Sequence, residues 1–215
     1  MEINYNHYLF DLDGTLVDSI HEIFNAAKTI CKKNNLNIPT FEYFKTRVGI
    51  HPDIFFKDHG AMENIDTLVS QFREILFNEA GDNSLVFDGV HELLQLIKNN
   101  NKRISLATTK PTFLAKKLIP RYGLGNYFAH IQGTEKNIRP KPYPDMINKC
   151  LSLSECHRAV MIGDTSSDML AAQAAGIDSI GVCTGAHNRN KLENSPAKIV
   201  VNDLIELMSL IQEKK

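Results

Sequence analysis

His7-Tyr8-Leu9-Phe10-Asp11-Leu12-Asp13-Gly14-Thr15-Leu16-Val17-Asp18-Ser19 is the stretch that decides the fold. Its first four residues form an apolar run the length of a buried strand, and the run stops abruptly at an acid. Asp11 and Asp13, followed by Gly14, therefore stand at the carboxyl end of a strand, the edge where open parallel sheets bind their ligands. The repeating oxygen ligands and distant glutamate of a calcium-binding loop are missing here.

Outward from this stretch, further strand-like runs fall at 104–107, 129–131, 159–162, 179–182 and 199–201. Helical stretches separate most of them, which predicts an α/β fold, a Rossmann-like parallel sheet covered by helices. Residues 17–84 break the alternation because they read as wholly helical. Ser19 with Glu22 forms a capping box ahead of a stripe at Ile20, Ile23, Phe24, Ala27, Ile30 and Cys31. Thr40 caps a short helix, Pro52 suits a first helical position, and a third stripe from Ile65 to Leu76 is stopped by Gly81. We therefore expect an all-helical domain at 17–84, inserted into a core made of 1–16 and 85–215. In that core, Pro111 opens a helix that Pro120 shortens before Gly123, an alanine-rich helix ends at Gly176, and Asn202 caps a terminal helix.

Composition narrows the function. The 215 residues carry 24 Lys+Arg against 25 Asp+Glu, a formal net charge of -1, so no basic excess favours nucleic acid or an anionic membrane. Cys31, Cys150, Cys156 and Cys183 make no CxxC pair or zinc spacing and read as reduced structural thiols. The start, Met1 to His7, has neither the cationic region nor the apolar stretch of a secretory signal, and no run approaches the length of a spanning helix. A cytoplasmic protein, monomer or homodimer, is expected.

Three further stretches carry chemistry. Met161-Ile162-Gly163-Asp164-Thr165-Ser166-Ser167-Asp168 repeats the pattern of an apolar strand ending at an acid, with a second acid one helical turn on. Either acid alone reads as a helix cap. Together with Asp11 and Asp13, however, four carboxylates at one sheet edge would repel each other unless a hard cation, with magnesium the expected one, sat among them. Thr108-Thr109-Lys110-Pro111 places hydroxyls and backbone N–H groups between a strand and a helix start, a favourable anion site. Arg139-Pro140-Lys141-Pro142 holds one lysine between prolines, which limits where its ammonium can go; the bland alternative is a surface loop with a solvated lysine.

In this order the four signals resemble the haloacid dehalogenase-like hydrolases, phosphoglycolate phosphatase-like branch, across nearly the whole chain. In that family a helical cap is inserted just after the first motif, where this sequence turns helical. The resemblance implies a magnesium-dependent phosphatase acting on a small phosphorylated metabolite through an aspartyl-phosphate. It makes Asp11 the nucleophile and Asp13 the acid and base. The metal would be held by the Asp11 carboxylate, the Asp13 carbonyl and Asp164, with Asp168 supporting them. Thr108 and the backbone at Thr109, Leu12 and Gly14 would bind the phosphoryl oxygens, and Lys141 would supply positive charge.

Arg47, ahead of Val48-Gly49, resembles the cap segment that approaches substrate in this branch, and reads equally well as a solvated helix-end arginine; Lys110 is similarly open. Phe55, Phe56 and Phe72 read as core of the helical domain rather than as a substrate box. Asp13 argues against carbon–halogen and phosphonate hydrolysis. The alternatives are a sugar phosphomutase, a pyrophosphate hydrolase, a receiver-like phosphoacceptor and an inactive binding protein on the same fold. Thr109 where the family often has Asn, and Asp88-Gly89 for the usual Pro-Gly, weaken the link to phosphoglycolate itself.

Overall fold

The computed structural model describes residues 3–79, 85–154 and 158–212, so Cys156 and the expected stop at Gly81 lie outside the described residues. In chain order its strands are β1 (His7–Phe10), β2 (Val17–Asp18), β3 (Leu85–Val86), β4 (Arg103–Pro111), β5 (His130–Thr134), β6 (Ala159–Gly163), β7 (Asp178–Val182) and β8 (Ile199–Val201). Six of them form one sheet in the order β5-β4-β1-β6-β7-β8, with every pairing parallel. The chain builds outward from β1 through β4 to β5, then crosses back to lay β6 on the other side of β1. The strand order thus reverses at β1, and ligands of open α/β sheets bind at such a switch point. Register brings the three strand ends level, with Phe10 opposite both Leu106 and Ile162.

The chain divides into two compact units, Met1–Asp18 with Val86–Lys215, and Ser19–Leu85. The second holds α1 (Ile20–Lys33), α2 (Phe41–Lys45), α3 (Pro52–Asp58) and α4 (Ile65–Glu79). Its core is aromatic. Phe55 packs edge-on against Phe44 and Phe56, and Phe56 against Phe72, at ring separations of 5.5, 5.4 and 5.8 Å. The Thr40 cap forms as expected, accepting from Tyr43 N at 3.2 Å, and Pro52 opens α3.

The sheet unit carries α5 (Val90–Asn99), α6 (Thr112–Arg121), α7 (Asp145–Ser152), α8 (Ser166–Ala174), α9 (Arg189–Glu193) and α10 (Leu204–Gln212). Leu9 and Met161 on the sheet meet Met146, Ile147 and Cys150 of α7 and Ala171 and Ala172 of α8 in one buried cluster. The small alanines let α8 lie close to the strands. Cys31 and Cys150 are buried free thiols and Cys183 is a partly exposed one. Among the described residues no helix is long and apolar enough to cross a membrane.

Several expectations need correction. Val17 and Asp18 are not helical but pair as β2 with β3, so the helical unit starts at Ser19. Ser19 precedes α1 but forms no side-chain cap bond, because its φ of -100° and ψ of 2° depart from the extended conformation that aims a hydroxyl at the first turn. The strand expected to end at Ala107 runs on to Pro111. Its β-branched threonines keep the chain extended, and Pro111 pairs with Thr134 after an irregularity. The α6 start is therefore Thr112, and Pro120 is held in the last turn without breaking it. At α10 the cap is Asp203, which accepts from Glu206 N at 2.8 Å, rather than Asn202.

Candidate active site

The carboxyl ends of β1, β4 and β6 bring Asp11, Thr108 and Asp164 to the same edge of the sheet. Asp11 is held there by its own N–H, which donates to Ile162 O at 2.9 Å. Ligand oxygens of Asp11, Asp164 and Asp168 all lie within 4.8 Å of one another. Burial pushes the Asp11 carboxyl upward, with Asp168 and Asp13 adding repulsion and Lys141 opposing it. Asp164 is also pushed upward, first by burial and then by Asp168 and Asp11.

Lys141 is the counterweight. Its ammonium lies 2.5 Å from Asp168 Oδ1, 2.9 Å from Asp11 Oδ1 and 3.0 Å from Ala107 O. Burial alone would push this lysine down, but Asp11 and Asp168 hold it well above the ordinary lysine range. The solvated-loop alternative is thus excluded for Lys141, whose side chain is 1% exposed. Its pairing with Asp11 falls outside hydrogen-bond angles, so Asp11 Oδ1 is a buried carboxylate oxygen without an aligned donor.

Asp164 sits in a cradle that the sequence reading missed. Thr15 Oγ1 donates to its Oδ1 at 3.0 Å, and Ala186 N donates to its Oδ2 at 2.8 Å. Gly14, at φ +83°, and Gly185 approach so closely that a Cβ on either would collide with the Asp164 carboxylate. Thr184 Oγ1 ties the two loops by donating to Gly14 O at 2.7 Å. His187 Nδ1 accepts from Ser166 N at 3.0 Å, which fixes the start of α8. The available signal was position: 183–188 follows the strand beside β6, so it emerges at the same edge.

Asp168 both caps α8 and belongs to the acidic cluster. Its Oδ2 accepts from Thr165 N at 3.1 Å and from Thr165 Oγ1 at 2.6 Å, completing a capping box, while Oδ1 faces Lys141. Both of its oxygens are therefore engaged by the protein. Thr108 is buried, and its hydroxyl accepts from Lys110 N at 3.2 Å, which leaves the hydroxyl hydrogen free to donate. The Gly14 N–H donates to Val17 O at 2.8 Å, so Gly14 shapes the loop and is not a free phosphate donor. Asp13 pairs with Lys110 Nζ at 3.1 Å. In the helical unit Arg47 pairs with Asp58, and His51 with Asp53.

The sequence profile of the haloacid dehalogenase-like hydrolases matches residues 8–182, from β1 through β7. The chain belongs to this family. A protein named probable phosphatase IndB from Dickeya dadantii (strain 3937) is 31% identical over 210 residues, covering 93% of this chain and 90% of that protein. A phosphoglycolate phosphatase from Pseudomonas savastanoi pv. phaseolicola is 29% identical, covering 93% of this chain and 77% of the relative. A crystal structure of a predicted phosphatase from Clostridium acetobutylicum superposes with a TM-score of 0.87 at 28% identity, over 97% of this chain and 99% of that one. These likenesses agree with the phosphoglycolate phosphatase-like resemblance read from the motifs, and with the Rossmann-like sheet carrying a helical insertion.

The donor set fits a hard divalent cation. Asp11, Asp13, Asp164 and Asp168 oppose Lys110 and Lys141, so four acids against two ammoniums leave two negative charges in excess. All the offered ligand atoms in the acidic cluster are carboxylate oxygens, which suits magnesium better than a softer metal.

Proposed function

We propose that this hydrolase is a magnesium-dependent phosphatase of small phosphate monoesters. The sheet unit would be its catalytic core and the helical unit its cap. The supporting observation is the buried cluster of Asp11, Asp164 and Asp168, of which Asp11 and Asp168 share the Lys141 ammonium, so that the three carboxylates are short of positive charge by what one divalent cation carries. Asp11, Asp164 and the Asp13 carbonyl are the groups assigned to the metal. Bound there, the metal supplies charge neutralisation and orientation of the phosphoryl group.

The chain's own residues do the rest. Asp11, at the rigid end of β1 with its N–H anchored on Ile162, is aimed to attack phosphorus and carry the phosphoryl group as an aspartyl-phosphate. Asp13 gives a proton to the departing alkoxide and then takes one from the water that cleaves the intermediate. The Thr108 hydroxyl and the N–H groups at Leu12 and Thr109 stabilise the equatorial oxygens, and Lys141 offsets their charge. Asp168 positions Lys141, and the 184–187 loop positions Asp164. The relatives named phosphoglycolate phosphatase support an acidic ester of that type as substrate.

A phosphate-release assay with magnesium across phosphoglycolate, sugar phosphates, nucleotides and pyrophosphate tests this reading. Wild type is expected to hydrolyse at least one of them, and Asp11→Asn to lose at least ~10⁴-fold in rate. No release from any compound, or a fully active Asp11→Asn, overturns it.

A further inference from the structure

Two lysines are buried at this site, and they are not equivalent. Lys141 has three protein oxygens around its ammonium, Asp168 Oδ1 and Ala107 O accepting hydrogen bonds and Asp11 Oδ1 paired with it by charge at 2.9 Å. Lys110 is nearly as buried, its side chain 4% exposed, yet among the described residues its ammonium has a single ion-pair partner, Asp13, at 3.1 Å. An ammonium in a water-poor place with N–H donors left over is costly unless a second acceptor arrives. Its backbone is not free to move away: Lys110 N donates to Thr108 Oγ1, and the next residue, Pro111, is paired with Thr134 of β5.

We infer that Lys110 is the specificity-determining residue for the leaving group, accepting a carboxylate or comparable anion carried on the alcohol that departs. The inference deepens the phosphatase reading and rests on it. Asp13, in that reading, must touch the leaving oxygen, and Lys110 already touches Asp13. An anion one methylene from the leaving oxygen therefore falls beside the ammonium, whereas a neutral alkyl group there offers it nothing. By drawing the ammonium toward itself, such an anion also frees Asp13 Oδ1 to face the leaving oxygen. Arg47, the cation that the sequence offered for this task, is paired with Asp58 inside the helical unit.

The test uses two matched pairs of compounds with magnesium present. Phosphoglycolate and ethyl phosphate report turnover; 3-phosphonopropionate and propylphosphonate report binding by calorimetry without any reaction. Wild type is expected to favour the carboxylate member of each pair by roughly tenfold or more, as a charge-assisted hydrogen bond allows. Lys110→Met should bring both ratios to within about threefold, and Lys110→Arg should restore part of the preference, since a displaced cation still attracts the anion. Circular dichroism checks folding, and Lys110→Gln replaces the Met variant if that one does not fold. A preference that survives the loss of the ammonium, or wild type that binds both phosphonates equally, overturns the inference. Wild type that hydrolyses neither ester leaves the phosphatase reading to the wider phosphate-release panel, and the phosphonate ratios still decide the role of Lys110.

Discussion

The sheet unit and the inserted helical unit both bury apolar side chains, but they treat charge in opposite ways. The helical unit fills its interior with Phe44, Phe55, Phe56 and Phe72 and leaves Arg47, Asp53, Lys57 and Asp58 partly exposed in pairs with each other. The sheet unit places Asp11, Asp164, Asp168, Lys110 and Lys141 out of water at one edge. Buried charge is costly even when paired, and replacing it with apolar residues often stabilises a protein. Five such groups kept together at the switch point of the sheet are what the proposed phosphoryl chemistry would require. The phenylalanines, by contrast, need no explanation beyond stability.

The largest effect expected from breaking this contrast is at Lys141. Lys141→Met leaves Asp11 and Asp168 buried without their cation, and the loss should be about 3–5 kcal/mol in urea unfolding, together with loss of phosphate release. Unchanged stability would mean that the pairing carries no weight. Phe56→Ala, at a side chain fully shielded in the helical unit, should cost a similar ~3–5 kcal/mol through its cavity. Hydrogen exchange should show that loss in α3 and α4 while the amides of β1 and β6 keep their protection.

A smaller effect of opposite sign is expected at Asp164. Removing a carboxylate that burial and two neighbouring acids disfavour should raise the Tm of Asp164→Asn by about 2–4 °C in chelator, with loss of activity. Adding magnesium should then raise the Tm of wild type and leave the variant unmoved. A variant that responds to magnesium like wild type would remove Asp164 from the metal site.

The mildest prediction concerns pH, at the far end of β1. His7 is buried between Ser105 at 2.8 Å and Ser154 at 3.1 Å, and burial lowers its pKa from 6.5 to about 4. Its folded pKa lies below the unfolded one, so unfolding takes up a proton as pH falls below 6.5. Its stabilising contribution is therefore complete above that pH and declines toward pH 4. Unfolding curves for wild type and His7→Gln should converge over this window; parallel curves would show that His7 does not govern it.

Much of this was legible in the chain because the signals were local. The apolar run ending at Asp11, the second ending at Asp164, Thr40 before its helix and the phenylalanines of the helical stripes each report on neighbours within a few residues, where spacing and side-chain chemistry act directly. The Ser19 cap and the Asn202 cap misled because capping depends on backbone angles and on which of two adjacent polar residues faces the first turn. The end of β4 misled because whether a chain stays extended past Ala107 is settled by the strand beside it.

By itself, the sequence determined the sheet with its helical insertion and offered the acids, threonine and lysine proposed for phosphoryl chemistry, since hydrophobic period and residue type are properties of short segments. Only the tertiary structure decided that Lys141 faces Asp11 and Asp168 while Lys110 faces Asp13, and that Gly185 and Ala186 enclose Asp164. Those partners are brought together by parallel strand order and register. Charges that attract over a few ångströms across the end of a sheet leave no trace in the spacing of residues far apart along the chain.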